Sequence, residues 1–425
     1  METTVIVGGG FSGLMVAVQL AQRGYAGQIL LVEMRAEVAQ GAAYSTDFAG
    51  HLLNVPAFGM SAYPDHPDHF KNWAAARGFR EDAFVPRRTF GQYLKEQFQA
   101  WEHKIEVISG QALRVEDGRL ELESGEVLSW DRLVLALGNF PPQHLKIPAD
   151  AGFYESPFYQ QDPWDHQQRA NAKGVLLIGT GLTAVDKVLE LCESTREIFA
   201  ISRHGLTPNA HPNPPLRLSA DQTLSLDPSG GALSLLRQFR KALAKSGDWR
   251  TTVASLRAAT NPIWLGLSET EKVCFRRHLS SLWDNHRHQI PWEVHDHLER
   301  LSNLHFLSGR LHKFALVDGR VQVSYSGGQL TVDRVINCTG PSGNILKVES
   351  PLLADVLKKG LGTVNSTQLG LATDEHFRLI GANGQASSKI YTLGPLLKGT
   401  LGETIAVPEL RGQAAQVAVH ILSGA

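Results

Sequence analysis

Cysteine is scarce in this sequence, and the few that occur stand far apart. Three cysteines, at positions 192, 274 and 338, are spread over 425 residues, and no two form a C-x-x-C pair. This spacing argues against a disulfide scaffold, a cysteine-rich zinc site and a local redox disulfide. The sequence also lacks an apolar run of about 20 residues, the length that a membrane-spanning helix needs. We therefore expect neither a membrane partner nor a bound metal.

The sequence also has no excess of positive or negative charge. Lys and Arg number 41 and Asp and Glu number 42, so the net charge is −1. This balance gives no indication of a nucleic-acid-binding surface or an acidic tail. The first apolar run begins close to Met1 and leaves no room for a signal peptide, so we expect a cytoplasmic protein. The length predicts two or three domains and leaves the oligomeric state open.

The sequence does contain a glycine-rich turn near its start. Three glycines between positions 8 and 13 give the pattern G-x-G-x-x-G between a short apolar run and a helical run. In dinucleotide-binding folds these glycines form a tight turn, admit the pyrophosphate and let the helix approach the strand. An acid that ends the next apolar run, 20 positions after the third glycine, is typical of a ribose contact. The candidate contacts are Gly8, Gly10, Phe11, Ser12, Gly13 and Glu33, and the alternative is a tight turn in a nucleotide-free domain.

A second turn of the same kind follows the apolar run at residues 175–178, with Ala184 in place of the third glycine. The next apolar run ends in a serine and an arginine rather than in an acid. An acid at this position would repel a 2′-phosphate. A hydroxyl and a guanidinium bind such a phosphate through charge-assisted hydrogen bonds, so the pattern predicts NADPH rather than NADH. The alternative is that Arg203 is a solvated residue at the end of a strand. The candidate contacts are Gly179, Gly181, Leu182, Thr183, Ser202 and Arg203.

A longer pattern occurs twice in the chain. Residues 105–138 and 304–340 both alternate apolar and polar positions, turn at an Asp-Gly pair and end in an apolar run before a glycine. The pattern predicts a small antiparallel meander followed by a buried strand. We expect Gly138 and Gly340, which follow those strands, to meet backbone requirements rather than to take part in chemistry.

The residues that follow Glu33 carry a resemblance to a known family. They read GAAYST from position 41, HLLNVP from position 51 and MSAYPD from position 60. In this order they resemble the YdhS-like FAD/NAD(P)-binding flavoproteins, and the resemblance extends over essentially the whole chain. It implies that the first turn binds FAD and that Tyr44, Asn54 and Met60 lie near the isoalloxazine. The alternative for each of these three residues is ordinary loop packing.

The carboxyl-terminal part matches the same family. A strand-like run ends at Gly394, and a helical run covers about 413–421. In flavoproteins with two nucleotide sites, a helix here directs its N-terminus at the flavin and stabilises negative charge on the reduced ring. The resemblance therefore implies that Gly394, Thr404 and Ala406 contact FAD.

These patterns together predict an α/β fold with two Rossmann-like dinucleotide-binding domains, one for FAD and one for NADPH, with a helical insertion in the second. The predicted FAD-binding domain consists of residues 1–165 and 304–425. Residues 166–303 form the predicted NADPH-binding domain, in which the helical insertion occupies about 215–303.

The insertion contains a dense polar and aromatic run at residues 276–288, which resembles a segment of the same family. We consider Asn54, His286 and Arg287 candidates near the flavin or the substrate, and no residue is assigned to catalysis. The run is a candidate to bind an anionic substrate or the nicotinamide nucleotide. The alternative is a helix with a polar face and a buried Trp283.

Two nucleotide sites imply hydride transfer from NADPH to FAD. Because the sequence lacks a cysteine pair, we expect the reduced flavin to react with molecular oxygen, giving a monooxygenase that acts on a small molecule through a flavin–oxygen adduct. The layout resembles N-hydroxylating and class B flavin monooxygenases, although the F-x-G-x-x-x-H pattern of Baeyer–Villiger enzymes is not intact here. The alternatives are an NADPH-dependent flavin reductase or oxidase, and a non-enzymatic redox sensor that binds FAD.

Overall fold

The computed structural model describes residues 1–165, 172–192 and 196–424. Contacts between Cα atoms divide the chain into two compact units. The first unit comprises Met1–Asn139, Arg217–His278 and Asn344–Ala425, and the second comprises Phe140–Leu216 and Leu279–Gly343.

Strands and helices alternate in both units. The strands are β1 (Thr3–Val7), β2 (Gln28–Glu33), β3 (Ile105–Ser109), β4 (Ala112–Glu116), β5 (Arg119–Leu122), β6 (Val127–Ser129), β7 (Arg132–Leu135), β8 (Tyr159–Gln160), β9 (Gly174–Ile178), β10 (Glu197–Ser202), β11 (Leu304–Ser308), β12 (Leu311–Val317), β13 (Arg320–Tyr325), β14 (Gly328–Val332), β15 (Arg334–Asn337), β16 (Arg378–Ile380) and β17 (Ala386–Thr392). The α-helices are α1 (Phe11–Gln22), α2 (Gly41–Tyr44), α3 (His69–Ala75), α4 (Arg87–Gln99), α5 (Leu182–Leu191), α6 (Gly231–Ser246), α7 (Trp249–Ser255), α8 (Thr260–Leu265), α9 (Glu269–His278), α10 (Ser280–Arg287), α11 (Trp292–Arg300), α12 (Pro351–Lys358) and α13 (Val407–Leu422).

The first unit is built on a six-stranded sheet of order β16-β17-β7-β1-β2-β3. All neighbours pair in parallel except β16 and β17, which pair antiparallel. Val5 and Ile6 in the central strand β1 are fully buried, as expected for a parallel sheet covered on both faces. Helix α1 packs against the C-terminal helix α13, which explains why nearly the whole of α1 is apolar and buried.

The second unit repeats this arrangement. Its five-stranded parallel sheet has the order β11-β10-β9-β15-β8. The run β11-β10-β9-β15 corresponds strand for strand to β3-β2-β1-β7 of the first sheet, so β9 occupies the position of β1. The α/β fold class predicted from the two glycine turns is confirmed.

The two predicted meanders are also present. Strands β4–β5–β6 and β12–β13–β14 form three-stranded antiparallel sheets. A two-residue Asp-Gly turn joins the first two strands of each, and Gly118 and Gly319 have φ values of 73° and 71°. Gly138 and Gly340 have φ values of 70° and 82°, so the expected backbone requirement is confirmed at both positions.

The helical segment after β10 is divided between the units, which differs from the sequence-based boundaries. Residues 217–278, with α6 to α9, group with the first unit, whereas α10 and α11 group with the second. The sequence assigned them all to the second domain because they follow its strand β10. Chain order does not reveal which sheet an inserted helix packs against. Residues 140–165 and 304–343, which the sequence assigned to the FAD-binding domain, also group with the second unit, where β8, β11 and β15 belong to its sheet. The predicted boundary at residue 166 lies outside the described residues.

Candidate dinucleotide sites

The first glycine turn is fixed by close backbone approaches. Gly8 has a φ of 105°, and a Cβ atom there would lie 2.3 Å from the carbonyl oxygen of Ala136. A Cβ atom on Gly13 would lie 1.9 Å from the carbonyl oxygen of Gly8. Both positions therefore require glycine, because a side chain would push the turn away from β7 or the helix away from the turn.

The start of helix α1 is open to a ligand. Gly10 is the N-terminal capping residue and makes no side-chain capping hydrogen bond to the first amides, and Leu14 N donates to Gly10 O at 2.9 Å. Phe11 and Ser12 follow in the first turn, with Phe11 buried against Phe90. Unpaired amides and the helix dipole together favour an anion such as a pyrophosphate.

Glu33 lies at the carboxyl end of β2 and holds the turn in place. Its Oε2 accepts a hydrogen bond from Gly9 N at 2.8 Å, and its Oε1 accepts one from Arg35 N at 2.9 Å. The side chain is 6% exposed. Each carboxylate oxygen has a second lone pair, so Glu33 remains able to accept hydroxyl groups of a ribose.

The segment after Glu33 approaches the same turn. A Cβ atom on Gly41, which has a φ of 54°, would lie 2.9 Å from Gly10 Cα, so α2 begins directly against the turn. Tyr44 ends α2 and packs edge-on against Phe90, with ring centroids 4.8 Å apart. Burial raises the pKa of Tyr44 to about 12, which keeps this phenol protonated at neutral pH. The contact between Gly41 and Gly10 was not predicted from the sequence, where Gly41 appears only as part of a motif.

Asn54 and Met60 lie in different surroundings. Asn54 is half-buried, next to Leu53, whose amide donates to Val85 O at 2.9 Å. Met60 is 3% exposed and belongs to the hydrophobic core around α1. The predicted flavin contact of each residue stays a prediction.

The carboxyl-terminal candidates form a buried hydrogen-bond network beside α1. Gly394 has a φ of 74°, and a Cβ atom on it would lie 3.1 Å from Ser12 Oγ. Gly394 N donates to Gln413 Oε1 at 2.8 Å, and Thr404 Oγ1 donates to Gly394 O at 2.8 Å. Gln413 Nε2 donates to Thr404 Oγ1 at 2.9 Å, which closes the network. Ala406 is the N-terminal capping residue of α13.

Gln413 was missed by sequence reasoning. Its signal was a polar side chain within an apolar helical run, and the structure shows it 5% exposed with both amide atoms bonded. A buried amide needs such partners, so a polar residue on a buried helix face predicts a specific contact.

The second turn has the same backbone with one difference. Gly179 has a φ of 118°, and a Cβ atom there would lie 2.3 Å from Cys338 O, the same distance that a Cβ atom on Gly8 would have from Ala136 O. Gly181 caps α5 with extended backbone, like Gly10, and a Cβ atom on it would meet no other atom within 4 Å. Ala184, 1% exposed, stands where Gly13 stands in the first turn. Helix α5 therefore leaves room for a methyl group at its third position.

The end of β10 lies beside this turn. Thr180 Oγ1 donates to Ser202 Oγ at 2.9 Å and also contacts Leu206 O, so the turn is tied to the residues that follow β10. Arg203 is exposed. Leu182 and Thr183 form the half-buried first turn of α5. A hydroxyl and an exposed guanidinium thus lie at the strand end where the sequence predicted a 2′-phosphate contact.

The polar run 276–288 is divided between two helices and between the two units. Arg276 to His278 end α9 in the first unit, and the remainder forms α10 in the second. His286 Nδ1 lies 2.8 Å from Leu282 O, so this ring nitrogen donates a hydrogen bond to the carbonyl one helical turn earlier. Arg287 and Trp283 are half-buried. A substrate role for His286 and Arg287 stays a prediction.

The described ranges contain neither a cluster of metal ligands nor a membrane-spanning helix. No group of three or more His, Cys, Asp or Glu side chains is arranged there to hold a metal ion. Among the same residues, no helix has the length and apolar character required to cross a bilayer.

Comparison with known proteins agrees with the fold. Residues 5–140 match the family model described as FAD-NAD(P)-binding. A protein of Penicillium brasilianum named as an FAD-binding monooxygenase is 24% identical over 246 residues, which make up 51% of this chain and 37% of that protein. The match thus spans little more than a third of this curated relative.

Two solved structures share the fold over the whole chain. An ornithine N-hydroxylase of Kutzneria sp. 744, named with FADred, NADP+ and L-orn, has a TM-score of 0.68 and 16% identity, covering 100% of this chain and 99% of that one. The ornithine hydroxylase of Pseudomonas aeruginosa has a TM-score of 0.65 and 14% identity, with coverage of 100% and 99%. The chain therefore shares its fold with these two hydroxylase structures.

Proposed function

We propose that this protein is an FAD-dependent oxidoreductase that uses NADPH to reduce its flavin and acts as a monooxygenase on a small molecule. The observation that carries the proposal is the duplicated turn. A Cβ atom on Gly8 or on Gly179 would lie 2.3 Å from the carbonyl oxygen that follows the neighbouring strand, and the two glycines occupy the same place in four strands of the same order. One dinucleotide for each turn is the simplest use of such a pair.

FAD is assigned to the first unit. The open start of α1 fits a pyrophosphate, and Glu33 has remaining acceptor capacity for a ribose. The match of residues 5–140 to the FAD-NAD(P)-binding family supports this assignment. The residues proposed to hold FAD are Gly8, Gly10, Phe11, Ser12, Gly13, Glu33, Tyr44, Asn54, Met60, Gly394, Thr404 and Ala406. When bound, the flavin supplies the redox chemistry, and these residues bind and orient it.

NADPH is assigned to the second unit. No acid stands at the end of β10, and Ser202 with the exposed Arg203 offers a hydroxyl and a permanent positive charge. Charge-assisted hydrogen bonds of this kind discriminate a 2′-phosphate from a 2′-hydroxyl. The residues proposed to hold NADPH are Gly179, Gly181, Leu182, Thr183, Ser202 and Arg203.

The monooxygenase outcome is supported by the names of similar proteins. The Penicillium relative is named as an FAD-binding monooxygenase, and both solved structures are named as ornithine hydroxylases. We extend from these names only the class of reaction and the use of a small-molecule substrate with molecular oxygen. Membership of the YdhS-like subfamily and a cytoplasmic location are part of the same proposal.

Rapid mixing tests the proposal against its two alternatives. The NADPH-reduced protein is mixed with oxygenated buffer, with and without candidate amines, thiols, ketones and aromatic compounds. A flavin species that decays faster with one compound, together with an oxygenated product, is expected of the monooxygenase. Reoxidation to peroxide under every condition would instead identify an oxidase or reductase. Bound FAD with no oxidation of NADPH would identify a redox sensor.

A further inference from the structure

Within the first unit, the helical insertion is joined to the loop before α13 by paired hydrogen bonds. Glu403 N donates to Asn261 Oδ1 at 2.8 Å, and Asn261 Nδ2 donates to Glu403 O at 3.0 Å. The Asn261 amide thus bonds to one residue's backbone through both of its polar atoms. Glu403 is 5% exposed, so these are buried backbone groups whose loss of a partner is costly.

Two further contacts reinforce this connection. Arg257 Nε and Nη2 donate to the two carboxylate oxygens of Glu409 at 3.0 Å each, a bidentate pair in the first turn of α13. Trp264 Nε1 donates to Gly399 O at 2.9 Å. Burial lowers the pKa of Arg257, but the charge and hydrogen bonds of Glu409 raise it more. The pKa is therefore raised overall, and the guanidinium remains charged.

The loop held in this way leads directly to the first glycine turn. Thr404 follows Glu403 and is 2% exposed, and its hydroxyl donates to Gly394 O at 2.8 Å. A Cβ atom on Gly394 would lie 3.1 Å from Ser12 Oγ and 3.4 Å from Leu410 Cδ2. Thr404 and Gly394 are buried and joined by a hydrogen bond, and the space between Gly394 and the half-buried Ser12 is too narrow for a side chain, so a displacement of Glu403 is transmitted toward Ser12.

We propose that Asn261 and Arg257 are positioning residues for the dinucleotide bound at the first turn, and that the helical insertion serves this site. The inference rests on the proposed function for the presence of FAD. Asn261 fixes the backbone next to Thr404. Arg257 pairs with Glu409 in the first turn of α13, and without this pair the carboxylate would oppose negative charge on a reduced flavin if the residues proposed for FAD hold it.

Asn261→Ala is compared with Asp248→Ala in the full-length protein. Asp248 caps α7 in the same insertion by accepting from Arg250 N and Thr251 N, and it has no hydrogen bond to the loop before α13. Both variants lose side-chain-to-backbone hydrogen bonds of the insertion, so the comparison separates positioning from general destabilisation. FAD affinity is measured by titration, together with the midpoint potential of the bound flavin.

We expect the dissociation constant for FAD to rise about tenfold in Asn261→Ala and to change little in Asp248→Ala. Equal FAD affinities in wild type and Asn261→Ala would overturn the inference and leave the proposed function intact. A wild-type protein that binds no FAD would overturn the proposed function and, with it, this inference.

A charge cycle tests the role of Arg257 even if Asn261→Ala does not fold. Arg257→Gln should lower the midpoint potential of the flavin, because it removes the guanidinium that is paired with Glu409 and leaves Arg411 as the cation that interacts with this carboxylate. Glu409→Gln should not lower the potential. The double variant should return the potential toward that of Glu409→Gln. Equal potentials in wild type and Arg257→Gln would overturn the role of this pair.

Discussion

The substitution Gly13→Ala tests the first turn most sharply, because the structure forbids the added methyl group. A Cβ atom at this position would lie 1.9 Å from Gly8 O. A carbon and an oxygen ordinarily approach to about 3.3 Å, so α1 or the turn must move by about 1 Å or more. This movement displaces the backbone amides of α1 that we propose bind the pyrophosphate.

The size of the effect follows from two terms. Forcing a methyl group into a packed backbone contact costs about 1–3 kcal/mol of unfolding free energy. Displacing the amides of α1 should weaken FAD binding about tenfold or more, because each hydrogen bond to a charged group contributes about 1.5–3 kcal/mol. Gly412→Ala is the matched control: Gly412 lies in α13, and a Cβ atom on it would have no other atom within 4 Å. That change should stabilise the fold by about 0.4–1 kcal/mol.

The assay is a titration of each variant with FAD, together with thermal unfolding of the FAD-free protein. We expect weaker FAD binding and a lower melting temperature for Gly13→Ala. We expect Gly412→Ala to lower neither the FAD affinity nor the melting temperature. Normal FAD affinity in Gly13→Ala would refute the account of the turn, because the described backbone has no room for that methyl group.

Three further outcomes are expected. Arg203→Ala should weaken NADPH binding about tenfold or more and leave NADH binding unchanged, and equal losses for both nucleotides would contradict the assignment. Burial raises the pKa of the Cys338 thiol, so a thiol reagent at neutral pH should label the exposed Cys274 and spare Cys338 until the protein unfolds. Burial, followed by the neighbouring His376, lowers the pKa of His420, so the unfolded state binds more protons than the folded state. Unfolding free energy should therefore fall as the pH drops below about 6.5, and His420→Gln should reduce that slope in equilibrium denaturation.

The features that could be predicted from the sequence are those fixed by local backbone. Gly8, Gly13 and Gly179 are recognisable because a tight turn before a helix accepts no side chain, whatever the rest of the fold. Glu33 is recognisable because its strand ends at a fixed distance from the turn. The Asp-Gly pairs likewise specify two-residue turns, so both meanders were predicted correctly.

The contacts that could not be predicted from the sequence are those between residues far apart in the chain. Asn261 and Glu403 are 142 positions apart, and Arg257 and Glu409 are 152 positions apart. No local pattern encodes such a pairing, because each side chain resembles an ordinary polar residue on a helix. The packing of residues 217–278 in the first unit has the same origin, since it depends on tertiary contacts and not on chain order.

Anaerobic mixing of the FAD-loaded protein with NADPH measures whether two nucleotides bound to this chain exchange electrons. The flavin absorbance near 450 nm is followed in a stopped-flow instrument, with NADH as the comparison. We expect the absorbance to fall with NADPH and to fall more slowly with NADH at the same concentration. A flavin that remains oxidised in a protein that binds both FAD and NADPH would show that the two nucleotides do not exchange electrons.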